Sequence, residues 1–245
     1  MNGVATILAH AGEDVTFNGN STDEGSDDLT LTWDWGDGQP SPDELTISLV
    51  NPPFTDPDPS PDIDPRDVDD QKIHAFGQAC TYDVVFSALD DDFGSATETI
   101  KVLITGNEAN GRSTGYWAGQ YRQRGGVDFD DATLSCYLEI AAFVSKVFNE
   151  ERDASTFERA QAILFDQGGP VSKRDQLDRD LLTAWLNFAN GAVEWNEQVD
   201  TGNGPPDTPF HQAIQTAESV RLDPNATPAQ IDAQRAIVQG INNKI

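Results

Sequence analysis

The sequence is poor in basic residues, and this shortage excludes whole classes of partner. Its 245 residues contain 15 Lys and Arg against 42 Asp and Glu, which gives a formal net charge of −27. A field of this sign repels phosphate backbones and anionic lipid surfaces, so we expect no binding to nucleic acid. No run of about 18 apolar residues occurs, so we expect no membrane insertion either.

Cysteine and histidine are also scarce, which excludes several kinds of chemistry. The two cysteines, Cys80 and Cys136, form no C-x-x-C pair, so neither a thiolate zinc site nor a thioredoxin-like centre is expected. Their spacing leaves two alternatives open, a disulfide between two domains or two buried thiols. The three histidines lie far apart, and G-x-S-x-G, H-E-x-x-H and phosphate-binding glycine motifs are missing, so we predict no catalytic residues and no enzymatic activity.

The abundant acidic residues have two physical interpretations. Aspartate outnumbers glutamate by 30 to 12 and only 5 lysines occur, a composition that keeps a protein soluble in high salt. Aspartate oxygens are also preferred ligands of calcium. We favour a halophilic or marine adaptation for the bulk of the charge, and local calcium sites are compatible with it.

The first 106 residues have the pattern of a small antiparallel β-sandwich. Alternating or β-branched segments are separated by Gly, Asp and Asn clusters, and these segments are residues 15–17, 29–35, 45–50, 82–89 and 96–105. Within residues 29–35 the alternation directs Trp33 and Trp35 to the core and Asp34 outward. Residues 51–71 hold six prolines and seven aspartates, so we predict an acidic surface loop there, either a solvated excursion or an arm ordered by calcium.

Residues 33–38, WDWGDG, place two carboxylates beside two indoles and could be taken for a reaction centre. Two carboxylates that act as a catalytic pair must face one substrate. Asp34 and Asp37 instead lie on either side of Gly36, where the strand leaves the sheet. We therefore predict that the tryptophans fill the core and that Gly36, Asp37 and Gly38 form an exit turn.

The hydrophobic period becomes helical in the second half of the chain. We predict a Gly- and Asn-rich linker over residues 107–126, followed by a small all-α bundle of about five helices over residues 127–245. The strongest helix spans residues 172–193. Capping residues predict the starts of four other helices at Asp130, Ser155, Thr208 and Thr227.

Three aspartate-rich loops are candidate calcium sites, because calcium binds several convergent oxygens. The candidate ligands are Asp90, Asp91 and Asp92 in the first loop, Asp23, Asp27 and Asp28 in the second, and Asp200, Asn203 and Asp207 in the third. The same residue types occur in tight turns for purely conformational reasons. Both interpretations stay open for each loop.

The first half of the chain carries a set of motifs with a recognisable order: a G-x-x-V-x-F opening, a W-D-x-G-D-G strand end, a histidine element and a Y-x-V strand followed by D-x-x-G. Their residues are Gly12, Val15, Phe17, Trp33, Asp34, Gly36, Asp37, Gly38, His74, Tyr82, Val84, Asp91 and Gly94. In these motifs the chain resembles the PKD (polycystic kidney disease) domain family, whose strand end is W-D-F-G-D-G and whose histidine element is H-x-Y. Trp35 and Phe76 depart from the pattern, and residues 51–71 form an insertion. The resemblance implies a seven-stranded, immunoglobulin-like sandwich that is extracellular and non-catalytic. It also implies that His74 is a structural hydrogen-bonding residue and that calcium binds near the ends of the domain in some members.

The second half is similar to helical regions appended to PKD repeats in large secreted prokaryotic proteins, to which we can assign no activity. The similar stretches are residues 115–117, 181–193, 199–207 and 222–230. The N-terminus lacks the basic region of a signal peptide and reads as a domain start, so we expect the chain to be part of a longer protein.

Two functions follow from these resemblances. The first is a non-catalytic structural and adhesive segment of a larger cell-surface or secreted protein, which mediates protein–protein or matrix contacts and whose rigidity depends on calcium. Its expected partners are other extracellular proteins or polysaccharide, and its oligomeric state is left open. The alternative is a carbohydrate-binding accessory module of a secreted hydrolase, for which Tyr116, Trp117 and Tyr121 could form an aromatic platform. Burial of all five tryptophans would favour the first function, and a row of exposed aromatic residues would favour the second.

Overall fold

The structure, a computed structural model, has a β-rich region followed by a helical region, as the sequence predicts. It describes residues 6–24, 28–38, 43–47, 66–90, 93–123, 127–165, 171–202, 206 and 208–244. The chain forms two compact units. The β unit contains the described residues up to Gly77 together with Tyr82–Val102, and the helical unit contains Gln78–Thr81 and the described residues from Leu103 onward.

Seven strands occur in the described part of the β-rich region. They are β1 (Thr6–His10), β2 (Asp14–Asp23), β3 (Leu29–Asp34), β4 (Asp43–Ile47), β5 (Arg66–Ala75), β6 (Cys80–Leu89) and β7 (Ser95–Thr105). Five of them form a sheet in the order β1-β7-β6-β3-β4, and β2 pairs with β5 in a separate antiparallel ribbon. Strand β3 is antiparallel to both β4 and β6.

Strand β3 confirms the predicted alternation. Leu29, Leu31 and Trp33 are buried, and Asp34 at the end of the strand is exposed. Trp35 continues the buried face, and its ring stacks on that of Trp33 with centroids 5.5 Å apart and planes 8° apart. The interior of the β unit is therefore built largely from aromatic rings.

Strand β5 corrects the prediction of a loop over residues 51–71. Residues 66–71 belong to this strand and pair with β2, from Arg66 opposite Asp23 to Gln71 opposite Asn18. The last proline of the segment is Pro65, so every residue after it has an amide hydrogen that can join the ladder. Residues 51–65 lie outside the described part of the chain.

Six α-helices occur among the described residues of the helical region. They are α1 (Thr114–Arg122), α2 (Asp131–Val144), α3 (Phe157–Leu164), α4 (Lys173–Ala189), α5 (Phe210–Leu222) and α6 (Pro228–Asn242). A π-helical turn (Val147–Glu151) and a short ribbon of β8 (Gln198–Val199) with β9 (Thr208–Pro209) complete the set. None of the described helices is long and apolar enough to cross a bilayer.

Helix α1 lies within the segment predicted as a linker, residues 107–126. It begins after Ser113, whose side chain accepts a hydrogen bond from the Tyr116 amide, and it buries Trp117 and Tyr121. The sequence did not predict this helix, because the segment around it is rich in glycine and asparagine. Its stability comes from packing against α3 and α4 rather than from helix propensity.

The predicted capping residues are confirmed at two helices and displaced at two others. Asp130 caps α2, and Thr227 caps α6 in a full capping box with Gln230. The cap of α3 is Thr156 rather than Ser155, because the Thr156 side chain accepts from the Arg159 amide. Thr208 belongs to β9, so α5 begins two residues after the predicted cap.

Helix α4 is the centre of the helical unit. It contacts α1, α2, α3, α5 and α6, and its residues from Asp180 to Ala189 are all buried. Its apolar residues at helical spacing form the buried stripe, since Leu177, Leu181, Trp185 and Phe188 are each at most 1% exposed.

The two cysteines form a disulfide, so the alternative of two buried thiols is wrong. The bond joins Cys80, at the start of β6, to Cys136 on α2, with Cα atoms 4.7 Å apart. Because Gln78–Thr81 clusters with the helices, both cysteines belong to the helical unit. The bond is therefore not the link between domains that the sequence suggested.

Two glycines allow a close backbone crossing at the end of α4. The Gly106 amide donates to the Ala189 carbonyl at 2.8 Å, and the Glu108 amide donates to the Asn190 carbonyl at 3.1 Å. Gly191 has a φ of +91°, and a Cβ atom there would lie 2.0 Å from the Gly106 oxygen. A Cβ on Gly106 would lie 2.4 Å from the Asn190 oxygen, so both positions require glycine.

Candidate functional site

The WDWGDG stretch forms a strand end and a turn, as predicted, and its carboxylates do not face a common substrate position. Asp34 Oδ1 accepts from the Gly36 amide at 3.0 Å. Asp37 Oδ2 lies 2.8 Å from His74 Nε2, and the His74 ring stacks on Trp35 at 4.5 Å. Gly36 has a φ of +69°, and a Cβ there would lie 2.7 Å from the Asp83 carbonyl oxygen, so glycine is required at the turn.

At the first predicted calcium loop, Asp90 directly after β6 and Gly94 directly before β7 are hydrogen-bonded to each other. Asp90 Oδ1 accepts from the Gly94 amide at 2.6 Å, and the Asp90 amide donates to the Gly94 carbonyl at 3.1 Å. Asp91 and Asp92 lie outside the described residues. Asp90 therefore has a conformational role, and calcium binding at this loop stays a prediction.

A basic side chain of the protein itself lies beside the second predicted loop. Asp28 Oδ1 lies 3.8 Å from Arg66 Nη2, and Asp23 is the strand partner of Arg66 in the β2–β5 register. Asp27 lies outside the described residues. The guanidinium lowers the local negative potential that a divalent cation would need.

The third predicted loop also satisfies its aspartate internally. Asp200 Oδ1 accepts from the Gly202 amide at 2.7 Å, and Oδ2 accepts from Lys244 Nζ at 2.6 Å. The hydrogen bonds from Lys244 and Gly202 hold the pKa of Asp200 below its usual range. Asn203 and Asp207 lie outside the described residues, and calcium binding at this loop stays a prediction.

Sequence reasoning missed a group of buried carboxylates in the helical unit. Asp178 is 0% exposed and binds Arg221 in a fork, with Nε to Oδ1 at 2.5 Å and Nη2 to Oδ2 at 2.9 Å. Arg152 Nη1 lies 3.5 Å from Oδ2. Burial raises the pKa of Asp178, and the two guanidinium groups oppose this rise.

Glu218 and Asp180 also accept hydrogen bonds from several donors of the chain. Glu218, 1% exposed, accepts from Trp185 Nε1 at 2.8 Å, from the Lys146 amide at 3.2 Å and from Ser145 Oγ. Burial raises the pKa of Glu218. Asp180 accepts from Gln239 Nε2 at 2.9 Å and from Arg235 Nε at 3.2 Å. Each carboxylate already has its partners, which fits a structural role better than proton transfer to a substrate.

Asp180 also borders a polar cavity of about 480 Å³ between α1, α4 and α6. The other polar lining residues include Thr114, Arg179, Gln239 and Asn242. No nucleophile paired with a base lies among the lining residues, so the cavity offers no recognisable hydrolytic chemistry.

The aromatic residues proposed as a sugar platform pack inside the helical unit. Trp117 is buried and donates from Nε1 to Asn187 Oδ1 at 3.0 Å. Tyr121 is buried and donates to the Leu134 carbonyl at 3.1 Å. Tyr116 is half-buried and donates to Asp128 Oδ2 at 2.6 Å. These rings do not form an exposed row.

One set of potential metal ligands converges within the described part of the chain. Cys80, Cys136 and Glu139 each offer an atom within 4.8 Å of the others. The two sulfurs are bonded to each other, so neither is a thiolate, and the set is not a metal site in this oxidation state. None of the nine predicted calcium ligands belongs to it.

Comparison with known proteins finds no family model and no curated protein that matches this chain. The resemblance to the PKD family therefore rests on the quoted residues and stays a prediction.

Proposed function

We propose that the chain is a non-catalytic, extracellular, structural and adhesive segment of a larger cell-surface or secreted protein. In this proposal the β unit is an immunoglobulin-like sandwich of the PKD type, and the helical unit is a second module. The partners are other extracellular proteins or matrix polysaccharide.

Burial of the tryptophans is the observation that carries this proposal. The exposed fractions are 0% for Trp33, Trp117 and Trp185, 3% for Trp35 and 9% for Trp195. A module that binds sugars by ring stacking needs aromatic faces open to solvent. Since all five indoles serve as core, their placement supports a structural role over the carbohydrate-binding alternative.

The disulfide supports the proposed location. Such bonds form and persist in oxidising environments, chiefly outside the cell or in compartments that lead there. The bond closes a sequence separation of 56 residues, and under a pulling force it would keep that stretch from extending. A residue spans at most about 3.6 Å when extended, so the locked length is about 200 Å.

Sedimentation with insoluble polysaccharides separates the proposal from its alternative. We expect that any retention of the intact chain on cellulose, chitin or xylan does not depend on an exposed aromatic ring, and that the chain hydrolyses no chromogenic ester, peptide or glycoside. Among the described residues, Phe93 is the large apolar side chain with the highest exposed fraction, 87%. Saturable retention on a polysaccharide that Phe93→Ala abolishes and Leu89→Ala preserves would overturn the proposal and support a carbohydrate-binding module.

Single-molecule extension tests the structural role in the proposal. We expect reversible unfolding, with a further extension of about 200 Å per chain when a reductant is added. A chain that fails to refold after release would be unsuited to a mechanical role.

A further inference from the structure

The face of α2 that carries the disulfide also carries a carboxylate. Cys136 and Glu139 are three residues apart on this helix, so their side chains share one face. Cys80 approaches from the start of β6, and its sulfur lies 3.8 Å from Glu139 Oε2. A disulfide sulfur has no hydrogen to donate. The approach of this sulfur to Oε2 is therefore a contact and not a hydrogen bond of the carboxylate.

A neighbouring side chain fixes the direction of that carboxylate. Thr81 Oγ1 donates to Glu139 Oε1, which leaves Oε2 directed to the sulfur of Cys80. An oriented carboxylate of this kind is typical of metal ligands that are held by an outer hydrogen bond. Glu139 is exposed and Cys136 is half-buried, so an ion could enter from solvent.

We propose that reduction of the Cys80–Cys136 bond creates a site for one thiophilic cation, such as Zn²⁺ or Cd²⁺. Its ligands are the two thiolates and Glu139 Oε2, with water in the remaining position. Zinc binds thiolate sulfur at about 2.3 Å and carboxylate oxygen at about 2.0–2.2 Å. Ligand atoms that already lie within 4.8 Å of one another need only small side-chain rotations to meet one ion. Two soft sulfur ligands select against calcium and magnesium.

The redox and proton balance makes the disulfide and the cation mutually exclusive. A dithiol reductant supplies two electrons, becomes a cyclic disulfide itself and converts the protein S–S bond into two thiols. Cation binding then releases the two thiol protons to solvent. The oxidised chain has no thiolate, so only the reduced chain binds, and the bound cation in turn favours the reduced state.

Titration with cadmium tests the site. The intact chain is reduced with a dithiol, freed of reductant without oxygen, and titrated with Cd²⁺ while thiolate-to-cadmium charge-transfer absorption and far-ultraviolet circular dichroism are recorded. We expect saturation at one Cd²⁺ per chain, and no absorption from the oxidised chain. Saturation at one Cd²⁺ per two chains would show bridging between molecules and overturn the proposal.

Glutamate variants separate a built site from a bare pair of thiols. We expect Glu139→Gln to weaken Cd²⁺ binding by at least about tenfold. Glu158→Gln, on the exposed surface of α3, should leave the affinity unchanged. Equal Cd²⁺ affinity of Glu139→Gln and the unaltered chain would show that the carboxylate is not a ligand, and would overturn the proposed site. If reduction alone unfolds the helical unit, recovery of the helical signal on Cd²⁺ addition supports the site, and a failure to recover contradicts it.

Discussion

The two units stabilise their interiors with different interactions. In the β unit the interior is chiefly a set of rings, and one buried carboxylate, Asp70, accepts from Trp33 Nε1 at 2.9 Å. The described part of the helical unit buries three carboxylates, Asp178, Asp180 and Glu218, and each accepts hydrogen bonds from side chains on other segments. Ring packing depends on shape, whereas a buried ion pair fails when one partner is removed. We therefore expect the β unit to respond most to side-chain volume and the helical unit most to charge and pH.

Removal of the Trp33 ring is the sharpest test of the aromatic interior. Trp33→Ala should lower the free energy of unfolding of the β unit by about 5 kcal/mol, because it opens a cavity beside Phe17, Trp35 and Phe86 and deprives Asp70 of a donor. Trp33→Phe keeps a ring and should cost about 2 kcal/mol. Denaturant unfolding followed by near-ultraviolet circular dichroism measures both. Equal losses in the two variants would show that the hydrogen bond, rather than the ring, dominates.

Removal of one buried charge is the matching test in the helical unit. Asp178→Ala leaves the Arg221 guanidinium, 15% exposed, without its carboxylate, and should cost about 4 kcal/mol. Asp232→Ala removes a surface partner of Lys173, whose pair lies 2.9 Å apart, and should cost less than about 1 kcal/mol. Urea unfolding followed by helical circular dichroism compares them. Similar losses in both variants would contradict the assigned importance of burial.

The pH dependence of Glu218 tests the same contrast with a smaller effect. Burial raises the folded-state pKa of Glu218 above the unfolded value of about 4.3. The protonated side chain therefore stabilises the fold below about pH 4.3, and this contribution is lost as the pH rises through the folded-state pKa. Glu218→Gln cannot ionise, so its stability relative to the unaltered chain should improve as the pH rises from about 4 to about 7. Urea midpoints across this range measure the difference. A pH-independent difference would contradict the raised pKa.

Salt and calcium should have the smallest effects. Sodium chloride screens the repulsion within a chain of net charge −27, so molar salt should raise the melting temperature. Millimolar calcium should shift it by less than about 3 °C beyond an EDTA control, since Asp90 and Asp200 already bind backbone amides. A larger calcium shift that Asp90→Asn removes would establish a specific site at the β6–β7 turn.

Sequence patterns predicted those elements that are stabilised by residues close to one another in the sequence. Strand β3 alternates visibly, and Thr227 with Gln230 forms a local capping box. Strand β5 was missed because four residues of its inward face, Arg66, Asp70, Lys72 and His74, are polar. Those side chains find partners on distant segments, as Asp70 does with Trp33, and no local period reveals them.

The buried carboxylates show the same limit. Asp178 lies four residues before Leu182 and seven before Trp185, so its position on the buried side of α4 was a usable signal. Its stabilising partner, Arg221, is 43 residues away in sequence and could not be inferred. Of the predicted calcium ligands, Asp27, Asp91, Asp92, Asn203 and Asp207 lie outside the described residues. Of the described ones, Asp28, Asp90 and Asp200 each meet an amide or a cation of the chain, and Asp23 lies opposite Arg66 in the β2–β5 register.

The glycine crossing at the end of α4 limits how this protein can diverge. Gly106 and Gly191 each exclude a Cβ because of backbone atoms across the crossing, so a change at either position is not compensated by a smaller neighbouring side chain. A substitution at one of the two glycines therefore requires the backbone segment on the other side of the crossing to follow a different path. In diverged homologues we therefore expect the two glycines to be kept together, or to be lost together with an insertion in one of the two connections.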